Sequence, residues 1–526
     1  MLPSSPPELD GFVDQLTTAI QIVIKANIPI LRPTPYSKHW WNPSLTLLCH
    51  NYMRKSRDEF QARFTASWEE SKCASNCARN TYISALHKAK AEHWKGWIEE
   101  AKERDVWIAS KYTKNPLSDR SRACIPTLFK KGEDGQVTSE LHTDAEKAAL
   151  FTDLFFPPCP HTLPGSPEDS DPNPSPLKFT TPAPHQITRC INKTNPFKAP
   201  GEDGIPNLVL KKCKALLTPL LHTCLLAILN TGYFPKRWHS WKTIVLRKPG
   251  KPNYTIAKAY RPIALYDAMG KVISGVMTDI MVYLTVRHNL LPPRHFGGLP
   301  NRMTVDSLLY LTHWVKEAWH KRKVATIIFL DIANAFPNAV TNQLLQNMAK
   351  LGYPSKIISF FEAMLKDRKT MLSFDDFTSL PIDIDNGIRQ GETASMILYL
   401  IYSHGLVAIP QGSNEDGGAN VDDNFFMAMA DTFEECDRML NNMLDKQAVW
   451  SVIHNSQAEI SKFQCLRLTR CKGIARTDFV HRQTHHIIHC MDEAWLLGVQ
   501  IHQEICWHQH VQQAIQKAEI LRLAVN

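Results

Sequence analysis

The chain has no paired Cys-x-x-Cys units, although it holds 13 cysteines in 526 residues. Scattered cysteines of this kind exclude the usual zinc-finger and zinc-ribbon classes. The opening MLPSSPPELD has neither the basic nor the apolar part of a secretory signal, so reduced thiols inside the cell are expected. No uninterrupted apolar run reaches the roughly 18 residues of a membrane span. The longest, around Leu216–Leu229 and Ile397–Ile409, are interrupted by His222, Ser403 and His404 and read as buried core helices. No internal repeat of roughly 20–50 residues is evident, which argues against solenoids and propellers. Charge of one sign does not dominate either. The formal net charge of +9 permits a nucleic-acid partner without requiring one.

What is present is the composition of a globular protein, with 44% hydrophobic and 21% charged residues. The length suggests two to four substructures. Near the start, Leu9, Phe12, Val13, Leu16, Ile20 and Val23 recur at helical spacing and predict one apolar stripe. A basic, tryptophan-bearing segment follows around Tyr82, Leu86, Trp94, Trp97 and Ala101, with Lys88, Lys90, Lys95 and Lys102 among them. A solvated amphipathic helix is the default reading there, and an RNA-contacting helix the rival. Residues 156–186 are dense in proline, serine and acidic side chains and predict a linker.

The chemistry-bearing residues come after that linker. In VATIIFLDIANAF, residues 324–336, a β-branched and apolar run ends at Asp331. Such a run predicts a strand buried on both faces, whose last residue emerges at the sheet edge. A lone carboxylate there is costly unless it is paired or binds a cation. Later, in NVDDNFFMAM, Asp422 and Asp423 interrupt a second strand-like stretch, as a tight turn would present them. Brought together, Asp331, Asp422 and Asp423 would form a hard-oxygen site for two divalent ions. Asp375 and Asp376 make a competing adjacent pair, but they sit between two short strand-like runs and read as an exposed hairpin turn. The segment GIRQGETAS, residues 387–395, lies after Asp375 and before Asp422, and this order favours the later pair.

These motifs, in this order, resemble the reverse transcriptases of LINE-type (non-LTR) retrotransposons, especially the fungal ones. The resemblance runs from about Ile191 to Leu523. NPFKAPGEDGIPNLVL (195–210) is similar to the opening element. TGYFPKRWHSWKTIVLRKPGKP (231–252) with AYRPIAL (259–265) resembles the fingers, and HFGGLPNRMTVDSL (295–308) the lead into the first catalytic strand. FLDIANAF, GIRQG, VDD, SKF (461–463) and LLGVQI (496–501) complete the series.

The resemblance implies an α+β right-hand polymerase of fingers, palm and the start of a thumb. Its palm would be an antiparallel sheet backed by helices, preceded by a mainly helical N-terminal region. The expected divisions are 1–155, similar to an endonuclease-to-polymerase connector around SKHWWNPSL (37–45), 156–186 as linker, 187–505 as fingers and palm, and 506–526 as the first thumb helix. Asp331, Asp422 and Asp423 are implied as ligands of two Mg²⁺ ions, with Mn²⁺ as substitute. Arg261 and Lys248 are implied to neutralise the incoming triphosphate, with plain surface charge as the alternative. Gln390 and Gly391 would lie under nucleotide and template, the glycine allowing close backbone approach. Lys462 would assist pyrophosphate departure. Phe336, five residues after Asp331, would exclude a ribose 2′-hydroxyl, with a core phenylalanine as the rival reading. The implied partners are an RNA template, a DNA primer and dNTPs, in nucleus and cytoplasm and with no membrane.

Three features depart from the family pattern: Thr393 and Ala394 replace a Pro-Leu pair, Asn420 a common aromatic, and Arg389 a small residue or proline. A decayed copy that only binds nucleic acid is therefore the second reading. An RNA-dependent RNA polymerase is the third, disfavoured by Phe336. The histidine-rich HRQTHHIIHC (481–490) reads as strand residues rather than a metal site.

Overall fold

The computed structural model describes residues 2–28, 39–100, 124–131, 137–160, 174–471 and 474–525. Two compact units emerge, Met1–Ile24 with Arg122–Gln512, and Lys25–Ser121 with Gln513–Asn526.

The larger unit is built on two five-stranded sheets. A small hairpin, β1 (Leu128–Lys131) and β2 (Val137–Leu141), comes first. The fingers sheet follows from β3 (Ser240–Arg247), β4 (Tyr260–Leu265), β6 (Arg368–Phe374), β7 (Phe377–Thr378) and β8 (Ile382–Ile384). Between β4 and β6 the chain makes β5 (Val324–Leu330), the centre of the palm sheet. Its partners are β9 (Glu415–Asn420), β10 (Asp423–Ala430), β11 (Gln464–Leu468) and, past the short hairpin β12 (Phe479–Val480) and β13 (Ile487–Ile488), β14 (Cys490–Met491). A last hairpin pairs β15 (Glu493–Leu496) with β16 (Val499–His502).

The palm sheet has the order β14-β11-β5-β10-β9. It is antiparallel as expected, except at the β11–β14 edge, which is parallel. Every residue of β5 is buried, because helices cover both faces. Val324, Ile328 and Leu330 join the core formed by helices Ser395–Val407 and Phe433–Ile453, while Ala325, Ile327 and Phe329 pack on helix Thr304–His320. Alternate residues of one strand thus serve two cores, and the sequence reads as an unbroken apolar run.

Helix Pro6–Asn27 forms where the apolar stripe predicted it. Leu9 and Val13 are buried, and Phe12, Leu16 and Ile20 pack against the same core. Val23 is instead exposed, and Ile24 takes the packing position one residue on, in keeping with 3.6 residues per turn. Helices Lys214–Thr231 and Ala268–Arg287 are long and apolar enough, by length and composition, to cross a membrane. Both contribute to the central core instead: Leu221, Leu225 and Ile228 from one, Val272, Ile273 and Met277 from the other.

Packing does not divide where residues 1–155, 156–186 and 187–505 were expected to separate. Helix Asp144–Phe155, capped by Thr143 and Glu146, lays Phe151 and Phe155 on the fingers sheet. The Phe151 ring centroid is 5.2 Å from that of Tyr260 and 5.7 Å from that of Phe374. This helix is part of the fingers core because its two phenylalanines, one turn apart, share one face and pack in the same cluster as Val245, Leu372 and Phe374. The proline-rich segment is also docked at its end, since Leu177 N donates to the Gly352 carbonyl at 2.9 Å. Residues 161–173 of the expected linker lie outside the described residues.

In the smaller unit, helices Pro43–Ala62 and Trp68–Glu99 pack together, with Tyr52 stacked on Tyr82 at 6.3 Å. Lys88 pairs with Glu92, Lys90 lies over Trp40, and Trp94 stacks on Trp97 at 5.2 Å. Ala101 and Lys102 of that segment, and Ser37 and Lys38 of the connector motif, lie outside the described residues. Helix His508–Val525 begins where the thumb helix was expected.

Candidate active site

Asp331 follows the last residue of β5 and stands at the end of the fully buried strand. Across the ladder, Asn424 of β10 faces Leu330, so Asp423 lies one step further, beside Asp331. Asp422 occupies the two-residue turn joining β9 to β10, where Asn420 pairs with Asp423. The other turn residue, Val421, has a φ of +67°. A β-branched residue rarely adopts that conformation, and it costs of order 1–3 kcal/mol. The strain is held by burial of Val421 in the central core, while Asp422 beside it is exposed.

The three carboxylates sense one another. Burial raises the Asp422 pKa, and the nearby Asp331 charge adds to it. Burial, then Asp422 and Asp331, push Asp423 up to about 6. Both side chains still reach solvent. Clustered hard oxygens with raised pKa values fit divalent cations, which would relieve the repulsion.

Two adjoining cavities meet at Asp331. One, of about 320 Å³, is lined by Asp423, Asn424, Gln464 and Trp495. The other, of about 410 Å³, opens between palm and fingers. Asp331, Asp422 and Phe336 line its palm side, and Lys248, Arg261 and Gln390 its fingers side. Lys462 lines both cavities. Its Nζ is 3.0 Å from Asp331 Oδ2 and also contacts Glu459. Although burial works against the charge, bonds to Glu459 and Asp331 raise the Lys462 pKa.

The fingers wall is strongly cationic. Burial lowers the Lys248 pKa, and Lys251, Arg261, Lys462 and Lys258 add to the fall. Cations crowded closely enough to depress Lys248 form a site for a polyanion. Phe336 stacks on Tyr399 at 4.6 Å and presents its remaining surface to the cleft. The ring therefore packs against the core and also lines the cavity.

Gly391 is not among the lining residues of the cleft; its φ is +101°, and a side-chain carbon there would sit 3.4 Å from the Ala264 carbonyl of β4. Its close approach is to the fingers sheet, one residue behind Gln390. Asp375 and Asp376 form the β6–β7 turn on the fingers sheet, where Asp375 Oδ2 accepts from Ile125 N at 2.8 Å. In the histidine-rich segment, His481 is buried after β12, and His489 pairs with Asp478 between β13 and β14.

Sequence reasoning missed Lys251, Lys258 and Glu459, all of which line the cleft. Lys251 was legible as the second lysine of KPGKP, next to Lys248. Glu459 had no signal, because only folding carries it across to Lys258, 3.7 Å away.

Residues 246–431 match the family described as "Reverse transcriptase (RNA-dependent DNA polymerase)". The chain is 26% identical over 218 residues to a probable RNA-directed DNA polymerase from transposon BS of Drosophila melanogaster, covering 41% of this chain and 24% of that one. It is 23% identical over 338 residues to the RNA-directed DNA polymerase from mobile element jockey of the same fly, covering 62% and 36% respectively. The chain thus spans about a quarter to a third of the length of these curated relatives. Among solved structures, apo telomerase from Candida tropicalis aligns with a TM-score of 0.36 at 12% identity, covering 50% of this chain and 53% of that one. Domains of the matched family work with divalent metal ions, and over residues 246–431 this chain carries a reverse transcriptase domain similar to those of non-LTR retrotransposon polymerases.

Proposed function

We propose that the chain copies RNA into DNA by nucleotidyl transfer from a dNTP to a primer 3′-hydroxyl, as the polymerase of a non-LTR retrotransposon. The supporting observation is the convergence of Asp331, Asp422 and Asp423 at a cleft whose opposite wall carries Lys248, Lys251, Lys258 and Arg261.

Asp331, Asp422 and Asp423 would hold two Mg²⁺ ions, or Mn²⁺ in their place. Such ions favour deprotonation of the primer hydroxyl and stabilise charge on the departing pyrophosphate. Arg261 and the cleft lysines bind the triphosphate and orient its α-phosphorus toward the primer. The 3′-hydroxyl gives its proton to solvent water, its oxygen forms a new bond to that phosphorus as the bond to the β-phosphate bridge breaks, and pyrophosphate leaves. Lys462, already beside Asp331, donates a proton to the leaving group. Phe336 closes the space beside C2′, so that deoxyribose fits and ribose does not. Gln390, on the fingers side, positions the nucleotide against the template base.

With RNA, DNA and dNTPs as partners, the workplace would be the nucleus and cytoplasm. The domain reading that packing supports is a fingers module including β1, β2 and helix Asp144–Phe155, a palm through His502, and a thumb beginning at helix His508–Val525.

The experiment is primer extension on poly(rA)/oligo(dT) with dTTP and Mg²⁺, comparing wild type with Asp422→Ala. Extension by wild type alone, with equal RNA binding by both proteins, supports the proposal. Absence of extension by either favours the nucleic-acid-binding remnant, the reading that Thr393, Ala394 and Arg389 motivate.

A further inference from the structure

Next to the cleft lies a separate small cavity of about 30 Å³, and the two share Phe155, Pro262, Pro337 and Gln390. Two arginines from different elements line it. Arg368, at the start of β6, is 1% exposed. It donates Nη1 to the Gly387 carbonyl at 2.6 Å, while Nε and Nη2 find no acceptor among the described residues. Arg389, one of the departures from the family pattern, is 7% exposed. It donates Nη2 to the Met364 carbonyl at 2.6 Å, lies 4.6 Å over Trp241 and 5.2 Å over Tyr266, and leaves Nε without an acceptor.

Trp241 and Tyr266 satisfy part of this charge through their ring faces, but aromatic faces supply no hydrogen-bond acceptor in the guanidinium plane. Burial and the Arg389 charge pull the Arg368 pKa down to about 9, with the exposed Asp385 carboxylate opposing them in part, and Arg368 stays charged at neutral pH. Two buried like charges with orphaned donors are costly unless an anion stands between them. A single water needs about 10–15 Å³ of such space. The cavity therefore holds one ion of chloride size or two waters, and is too small for a phosphate with its four oxygens. Waters would accept the orphaned N–H groups without neutralising them; an anion does both.

We propose that this cavity binds a small monovalent inorganic anion of chloride size between Arg368 and Arg389. The ion would neutralise the pair from behind the Gln390 wall of the cleft and hold residues 386–390 against the fingers sheet. Asn386, itself 4% exposed and lining the cavity, leaves Oδ1 unpartnered there. It offers a way to install the negative charge covalently.

The test is thermal unfolding of the full chain at neutral pH, without nucleic acid or nucleotide, so its outcome is independent of the polymerase reading. Ionic strength is held constant while sodium glutamate, whose anion is too large to enter, is exchanged for sodium chloride. The midpoint should rise by about 2–4 °C and saturate, and bromide should reproduce the rise. Asn386→Asp should melt in glutamate as wild type does in saturating chloride, and should no longer respond to chloride. A wild-type midpoint equal in both salts, or rising without saturation, would overturn the proposal in favour of water. So would an Asn386→Asp protein that responds to chloride as wild type does. If that variant does not fold, chlorine NMR on wild type decides: line broadening reversed by bromide supports the site, and its absence removes it.

Discussion

Lys462 Nζ sits 3.0 Å from Asp331 Oδ2, so a fixed ammonium contacts the carboxylate that would otherwise face a divalent ion. The cation and a metal compete for the same oxygen, and loading the site requires the lysine to swing toward Glu459 or toward the triphosphate. Lys462→Gln should therefore bind Mn²⁺ several-fold more tightly, read by electron paramagnetic resonance, while its extension rate falls about 10²-fold through loss of the proton donor. Unchanged metal affinity would mean that the ion pair does not gate the site.

The raised carboxyl groups give a pH dependence of definite sign. With its folded pKa about 6, above the ordinary aspartate value, Asp423 contributes stability that is full below the unfolded pKa and is lost as pH rises through 6. Asp423→Asn should thus melt higher than wild type at pH above 7 without metal, by about 1–3 °C given the solvent exposure of the group. The difference should shrink toward acid pH. Metal binding has the opposite slope, because only the ionised carboxylates ligate. Mn²⁺ affinity should fall as pH drops through about 6, and a flat titration would contradict the assignment.

Phe336 carries the sugar discrimination in the proposed reaction. Shortening it to alanine should raise the ratio of ribonucleotide to deoxyribonucleotide incorporation by about 10–100-fold, the range for a steric contact in an apolar pocket. Because the ring also stacks on Tyr399, Phe336→Ala should lose stability as well, and Phe336→Val separates the two effects. A wild-type enzyme that already uses both sugars equally would end the idea.

Arg261 points from β4 into the cleft and is exposed there. Arg261→Ala should raise KM for dNTP by about 10–100-fold with a smaller change in kcat, measured by steady-state extension at fixed template. A neutral effect would return Arg261 to the surface-charge reading.

The palm was legible because its physics is local. Val324–Leu330 announces a strand buried twice over, Asp331 marks where it ends, and the acidic pair at 422–423 announces a turn. The fingers were less legible. Helix Asp144–Phe155 joins them through Phe151, whose contacts with Tyr260 and Phe374 span more than a hundred residues of chain and leave no periodic trace. Val23 misled for a different reason: it is apolar and near the stripe, yet a helix places Ile24 rather than Val23 toward the core. The close backbone approach that Gly391 makes within the fold is to Ala264 of β4, a neighbour that its place in GIRQG does not reveal. Glu459 was invisible, since a lone glutamate has meaning only beside Lys258 and Lys462.

The parallel pairing of β3 with β6 sets Ser240 against Lys369, with the whole of β5 and its helices between them. A ribosome therefore releases the paired β3 and β4, with the other hydrogen-bonding edge of β3 open, long before the strand that pairs with that edge has been made. Completion of the fingers sheet has to wait for β5, so nascent chains halted before residue 368 would present an open strand edge to chaperones.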